Sequence, residues 1–301
     1  MFTQREVLVE LEISTGAGIE AELRTLHAEA QQRAVTEHIL ALADQAGYGA
    51  ALIDAGTLSH AEAAVISWPQ FAHMVRAAAR GLSRRGLQQG DTAGIFVGDA
   101  VSHAVAVHAV RAAGAMAAAV RPTRSAADIA AQLKAGRARL LITSPGLADL
   151  AIQAAERSWV RQVFAFGEAE GTTPFDSLVQ TPRHSQPQAD GTNGHSEGPA
   201  PEQIFELAEL GLEADRVAPQ LIRRPVPRLT CRDVVVAAPP SGDPEAYTSL
   251  LDLALAAGAT VVAAPLAQVT AAIGVYKGTA AIVPRGTGVP GLPAGRILAV
   301  G

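Results

Sequence analysis

The sequence predicts an α/β protein with two parallel sheets, and three observations predict it. Short, continuous apolar runs alternate with longer helical patterns, which is how strands covered on both faces read. Helical patterns open on Pro or an N-cap residue and close on Gly, the asymmetry that helix ends require. The alternation is interrupted once, by "TPRHSQPQADGTNGHSEGPAP" from Thr181 to Pro201, a stretch with almost no apolar residues and no periodicity. It reads as a flexible linker. The expected division is therefore an N-terminal extension over 1–36, a first α/β unit over 37–180, a linker over 181–203 and a second, shorter α/β unit over 204–301.

In chain order, "REVLVELEI" is strand-like and "STGAG" is a turn. "IEAELRTLHAEAQQRAVTEHILALADQ" is a charged helix with Leu23, Leu26, Ala30, Ala34, Ile39 and Leu42 roughly on one face. "AALID" is a short strand, and "ISWPQFAHMVRAAARGLSRRG" an amphipathic helix with Pro69 in its first turn and Gly86 past its end. "TAGIFVG" is a strand and "AVSHAVAVHAVRAAG" a helix closed by Gly114. "AMAAAVRP" is a strand, "SAADIAAQLKAGR" a helix with Ser125 as N-cap, and "ARLLITS" a strand. "LADLAIQAAERSW" is a helix and "RQVFAFG" a strand. Beyond the linker, "PEQIFELAELGLEADRVAPQLI" is helical, "RDVVVAAPP" a strand, and "DPEAYTSLLDLALAAG" a helix ended by Gly258. "ATVVAAP" is a strand, "LAQVTAAIGVYKG" a helix, and "TAAIVP" and "GRILAVG" are strands.

Composition narrows the partners. Aromatics are 4% of the 301 residues, so the core must rest on Ala, Val, Leu and Ile. A net charge of −5 without a basic block argues against nucleic acid and anionic membranes. The lone Cys231 excludes an intrachain disulfide and a multi-cysteine zinc site, and reads as a small residue at a strand start. The uncharged stretch Leu253–Val275 contains Pro265 and reads as helix, turn and strand, not as a membrane span. The acidic "MFTQREVLVELEI" is unlike a signal peptide, so a cytoplasmic location is expected.

Four stretches follow one another in a set order: "ALID", the helix ending "RGLSRRGLQQGD", the helix closing on "RAAGA", and "AADIAAQLKAGRARLLIT". On these, residues 36–301, with a gap in the middle, resemble the acyl-adenylating (AMP-binding) superfamily: acyl- and aryl-CoA synthetases, 4-coumarate–CoA ligases, luciferases and adenylation domains. "VRQVFAFGEAEGTTPFDSLV" fits the 4-coumarate–CoA ligase branch, and "DVVVAAPPSG" with "LLDLALAAGATVVAAP" fits the second subdomain. The resemblance implies the fold of the N-terminal domain of acyl-CoA synthetases without their C-terminal domain.

Adenylation places charge on a phosphate, which needs Mg²⁺, amide donors and cations. The superfamily's Ser/Thr/Gly-rich loop ending in Lys-Gly should precede the second subdomain. The stretch there has no Lys and no such run. The superfamily's acidic motif, ribose-binding Asp, hinge and catalytic Lys correspond to positions beyond Gly301. No catalytic residue is therefore assigned. "PRGTGVPGLPAGR" echoes a phosphate loop, which makes Gly286, Thr287, Gly288 and Gly291 the cofactor-binding candidates, although Ala294 stands where a Lys is wanted. A turn-rich crossing is the plainer reading of that stretch. "STGAGIE" (14–20) is a turn and cap on similar grounds.

His103 and His108 are five apart on one helix, and His60 and His73 are isolated. With no metal-ligand spacing, all read as surface or partly buried residues. Arg223, Arg224, Arg228 and Arg232 read as solvated surface, or as a docking patch for an acidic partner or a CoA-like phosphate.

The resulting expectation is a degenerate, ligase-like protein that does not adenylate alone. It would act as a partner or regulatory protein in acyl or aryl acid metabolism, as a homo-oligomer or beside a full-length synthetase. It needs no cofactor of its own. The alternatives are a split acid–CoA ligase completed by another chain, using ATP, Mg and CoA, and a decayed gene product. Contacts are expected through 230–301, with Val234, Val235, Val236, Val261 and Val262 in or near the strands of an uncovered sheet, unless residues 1–36 fold back as its cover.

Overall fold

The computed structural model describes residues 30–56, 63–123, 125–180 and 227–300. The strand and turn expected before residue 30, the linker and the helix expected over 201–222 lie outside the described residues.

The elements are helix α1 (30–45), strands β1 (Ala50–Asp54) and β2 (Ala64–Ser67), α2 (Trp68–Arg84), β3 (Thr92–Phe96), α3 (Ala100–Ala112), β4 (Met116–Ala119), α4 (Ala126–Ala135), β5 (Ala138–Thr143), α5 (Ala148–Glu156), β6 (Gln162–Ala165), β7 (Thr173–Pro174) and α6 (Asp176–Val179). Then come β8 (Val234–Ala237), α7 (Pro244–Ala256), β9 (Thr260–Ala263), α8 (Val269–Tyr276), β10 (Ala280–Pro284) and β11 (Ile297–Val300).

Local chemistry fixes the helix starts. Ser67 and Gln70 form a reciprocal capping box at the head of α2. Asp99, Ser125 and Asp243 each accept an amide of the first turn of α3, α4 and α7. Gly114 and Gly258 follow α3 and α7 with φ of 81° and 73°, a conformation that costs glycine little. Gly81 in α2 has a different role, since a Cβ there would collide with the Leu178 backbone of α6.

Two sheets result. One has the order β4-β3-β5-β6-β7 and is parallel throughout. The other has the order β11-β10-β8-β9-β1-β2 and is parallel except for the β1–β2 pair. Side chains alternate between two cores, as the pleat demands. Val235, Ala237, Val261, Ala263, Ala280 and Ile282 face a central core that they share with α2, α3, α7 and the first sheet. Val236, Val262, Ala281 and Val283 face α8. On the far side of the first sheet, Phe96 and Leu141 pack with Ile129 of α4 and Ala151 of α5. The layers therefore run helix, sheet, helix, sheet, helix, and the middle helices belong to both sheets.

Four expectations are corrected. The strand Ala50–Asp54 joins the second sheet, pairing Leu52 with Val261 and Ile53 with Val262; apolar periodicity gives a strand but not its distant partner. The expected boundary at 36/37 falls inside α1, and the buried face of that helix is Val35, Thr36, Ile39, Leu40, Leu42 and Ala43, while Ala30 and Ala34 are exposed. Ile66 and Ser67 end a strand that the sequence reading missed, so α2 starts at Trp68. Val235, Val236, Val261 and Val262 are buried under helices on both faces and offer no contact surface.

The central layer holds a buried ion pair. Arg111 of α3 donates from Nη1 to Oδ2 of Asp252 on α7 at 2.8 Å, and both residues are about 95% buried, at 5% and 4% exposure. Removing one partner strands a charge in the core, whereas replacing both with apolar residues does not. Asp252→Ala should lower unfolding stability by about 3–5 kcal/mol, and the pair Arg111→Met with Asp252→Leu should recover most of that loss. Urea unfolding of the three proteins checks this. Equal destabilisation by the single and the double replacement would contradict the assignment.

Candidate functional site

In parallel sheets, ligand sites lie at the carboxyl ends of strands, where the connections diverge. The first sheet has such a point at β3: the chain passes to β4 on one side, then returns to β5 on the other. A cleft of about 380 Å³ opens there. Its walls are Ile95, Phe96 and Val97 from β3 and its end, Val120 and Pro122 after β4, Leu147 and Leu150 around the start of α5, and Pro240 and Pro244 from the second sheet's side. The cleft thus lies where the carboxyl ends of the two sheets meet. Among its lining residues there is no lysine, arginine or carboxylate.

His103 is its buried polar group, at 2% exposure. The imidazole Nε2 lies 2.8 Å from the Thr248 hydroxyl, whose own proton goes to the Pro244 carbonyl at 2.8 Å. Thr248 can therefore only accept from His103, which places the ring proton on Nε2. The ring meets Tyr247 edge-on, with centroids 5.3 Å apart, and Tyr247 donates to the Ala238 carbonyl. Burial pushes the His103 pKa down to about 3, so the ring is neutral near pH 7 and a poor base. Asp99 caps α3 beside the cleft, and burial raises its carboxyl above the ordinary value.

His108 is equally buried, at 1% exposure. Its Nδ1 meets the Thr36 hydroxyl at 2.9 Å, and Nε2 lies 3.5 Å from Asp252 Oδ1. Burial, followed by the Arg111 charge, holds its pKa well below the ordinary value, so Arg111 is the cation facing Asp252. The expectation of surface or partly buried histidines is therefore corrected for His103 and His108. His73 is exposed and His60 lies outside the described residues. Thr36, Thr248 and Asp252 were missed as polar partners. The signal was present in α7, where Thr248 and Asp252 are four apart in an otherwise leucine-rich helix.

The candidate phosphate loop lies elsewhere, between β10 and β11. Gly286, Gly288 and Gly291 are exposed there, and the Thr287 amide is spent on the Pro284 carbonyl in a turn. Cys231 sits exposed in the turn before β8 instead of at its start. Arg228 and Arg232 are exposed, while Arg223, Arg224 and the 14–20 turn lie outside the described residues. Among the described residues, no group of His, Cys, Asp or Glu is placed to hold a metal, and no helix is long and apolar enough to cross a membrane.

The buried histidines link stability to pH. Their folded pKa values lie below the unfolded value near 6.5, so in that window the unfolded chain binds more protons. Stability should be full above about pH 6.5 and fall as pH drops toward 3. Each histidine contributes a slope of up to about 1.4 kcal/mol per pH unit. Urea unfolding between pH 7.5 and 4.5, values chosen around the ordinary histidine range of about 6.5, should show a shallower slope in His103→Gln. An unchanged slope would contradict the burial argument.

Comparisons with known proteins agree with this architecture. The AMP-binding enzyme family matches residues 43–205. No curated protein sequence matches the chain. Among solved structures, a long-chain-fatty-acid-CoA ligase from Archaeoglobus fulgidus is similar at 17% identity and TM-score 0.59, over 83% of this chain and 51% of that one. An amide bond synthetase from Marinactinospora thermotolerans matches at 18% and 0.58, over 84% of this chain and 48% of that one. A benzoate CoA ligase from Burkholderia xenovorans LB400 matches at 17% and 0.58, over 88% of this chain and 54% of that one. The chain spans about half the length of these structures, and at such identities the likeness concerns the fold. With the family matched over more than half of its residues, the chain belongs to the AMP-binding enzyme family.

Proposed function

We propose that this chain is an acid-binding, ligase-like protein that does not adenylate alone and acts as a partner in acyl or aryl acid metabolism. One observation carries the reading: the cleft at the junction of the sheets is walled by aliphatic side chains and prolines, with no cation among its described lining residues. Its volume falls within the range of roughly 300–1,000 Å³ usual for small-molecule sites. Such walls suit the hydrocarbon part of a carboxylic acid.

ATP, Mg²⁺ and CoA are the groups that the family implies, and the described residues do not fit a triphosphate. The chain has two lysines. Lys134 lies in the last turn of α4 and Lys277 caps α8 in a left-handed conformation, both outside the cleft lining. The Gly98 amide at the cleft is already bonded to Ser144 Oγ. What the described residues supply at the cleft is an apolar wall and a neutral imidazole, which fit binding of a hydrocarbon group and not phosphate chemistry.

Acid-dependent exchange of labelled pyrophosphate into ATP tests the reading, with benzoate and octanoate as the acids. The chain alone should show no exchange above the acid-free control, while either acid raises the melting temperature by binding the folded state. Acid-dependent exchange by the purified chain would overturn the proposal. Exchange appearing only when a second polypeptide is added would replace it with the split-ligase reading.

A further inference from the structure

Helix α3 begins at the cleft and ends about 20 Å away, at 1.5 Å per residue over its length. At that far end lies a second and larger surface hollow of about 610 Å³, bordered by α1, α2 and the last turn of α3. Five arginines line it: Arg33, Arg76, Arg80, Arg84 and Arg111, against one glutamate, Glu37. On a chain of net charge −5, this is a local reversal of sign.

Some of this charge has a structural purpose. Arg33 pairs with Glu37 at 2.9 Å, and Arg76 holds Asp44 with two bonds of 2.7 and 2.6 Å. Arg84 and Arg111 lie in the last turns of their helices, where cations offset the helix dipole. Two facts remain. Arg80 and Arg84 are exposed, one turn apart on the same face of α2, and no carboxylate meets them among the described residues. Arg111 is 95% buried, and Asp252 meets its Nη1 only; its Nε has no hydrogen-bond partner among the described residues. A buried guanidinium N–H without an acceptor is costly, and here its side chain lines an arginine-rimmed hollow.

We propose that the groove between α1, α2 and the end of α3 binds a small phosphorylated anion, with Arg80 and Arg84 at its rim and Arg111 at its floor. Several oxygens on one dianion can satisfy several guanidinium groups at once, the geometry for which arginine is suited. The site is independent of the cleft, and its occupancy requires no adenylation.

Inorganic pyrophosphate is the probe, titrated calorimetrically into the full chain at low ionic strength without acid or nucleotide. Binding should be detectable at about 1 mM or below and should weaken about tenfold or more in Arg80→Ala/Arg84→Ala. Both replaced residues are exposed, and an unchanged melting temperature will show that the variant folds. Citrate and sulfate at matched ionic strength should bind more weakly than pyrophosphate. Absent binding, binding that survives the double replacement, or equal binding of all three anions would each overturn the proposal. None of these results bears on pyrophosphate exchange, so the cleft reading stands or falls separately.

Discussion

Helix α3 carries a constraint on which the rest of the chain depends. It lies between two sheets and is buried nearly all round, yet it contains His103, His108 and Arg111. A helix in that position cannot solvate its polar groups, so each must find a partner inside the protein. The partners come from two other helices of the central layer. Thr36 of α1 meets His108, while Thr248 and Asp252 of α7 meet His103 and Arg111. Since α7 connects β8 to β9 and α3 connects β3 to β4, these bonds tie the two sheets to one another. Burying the histidines holds them neutral, and burying the arginine demands a carboxylate. The packing of the layers and the protonation of the core are thus one problem with one solution.

The same arrangement separates two kinds of chemistry along α3. Its N-terminal end meets a cleft of apolar walls and a neutral imidazole, while its C-terminal end meets a hollow rimmed by arginine. The intervening residues are small and aliphatic, with Ala104, Val105, Ala106 and Val107 all buried. Interiors packed from Ala and Val bring backbones close, so α3 holds its two ends apart as a rigid spacer between the two hollows.

Most strands and helices were legible because their signals are local. Ser125, Gly114 and Gly258 mark helix ends through hydrogen bonds and φ angles that involve only near neighbours. The sheet of β1 was not legible, since "AALID" pairs with Val261 and Val262 about two hundred residues away and nothing within five residues encodes that choice. The burial of His103 and His108 was missed for a related reason. Five-residue spacing spreads them around a helix, which suggests exposure only if the helix has a solvent side, and α3 has none. The apolar cleft is assembled from β3, β4, α5 and the loop after β8, so no single stretch announces it. The stretch that holds Gly286, Gly288 and Gly291 was legible as a turn-rich crossing, because turn chemistry is local, and the three glycines lie exposed between β10 and β11.

Two sheets that share one helix layer should unfold together. Native-state hydrogen exchange in increasing urea measures this most directly. Amides of α3, of β3 and β5 in the first sheet, and of β8 and β9 in the second should converge on one opening free energy, equal to that of global unfolding. Exchange of one sheet at a distinctly lower free energy, with the other sheet and α3 still protected, would contradict the account.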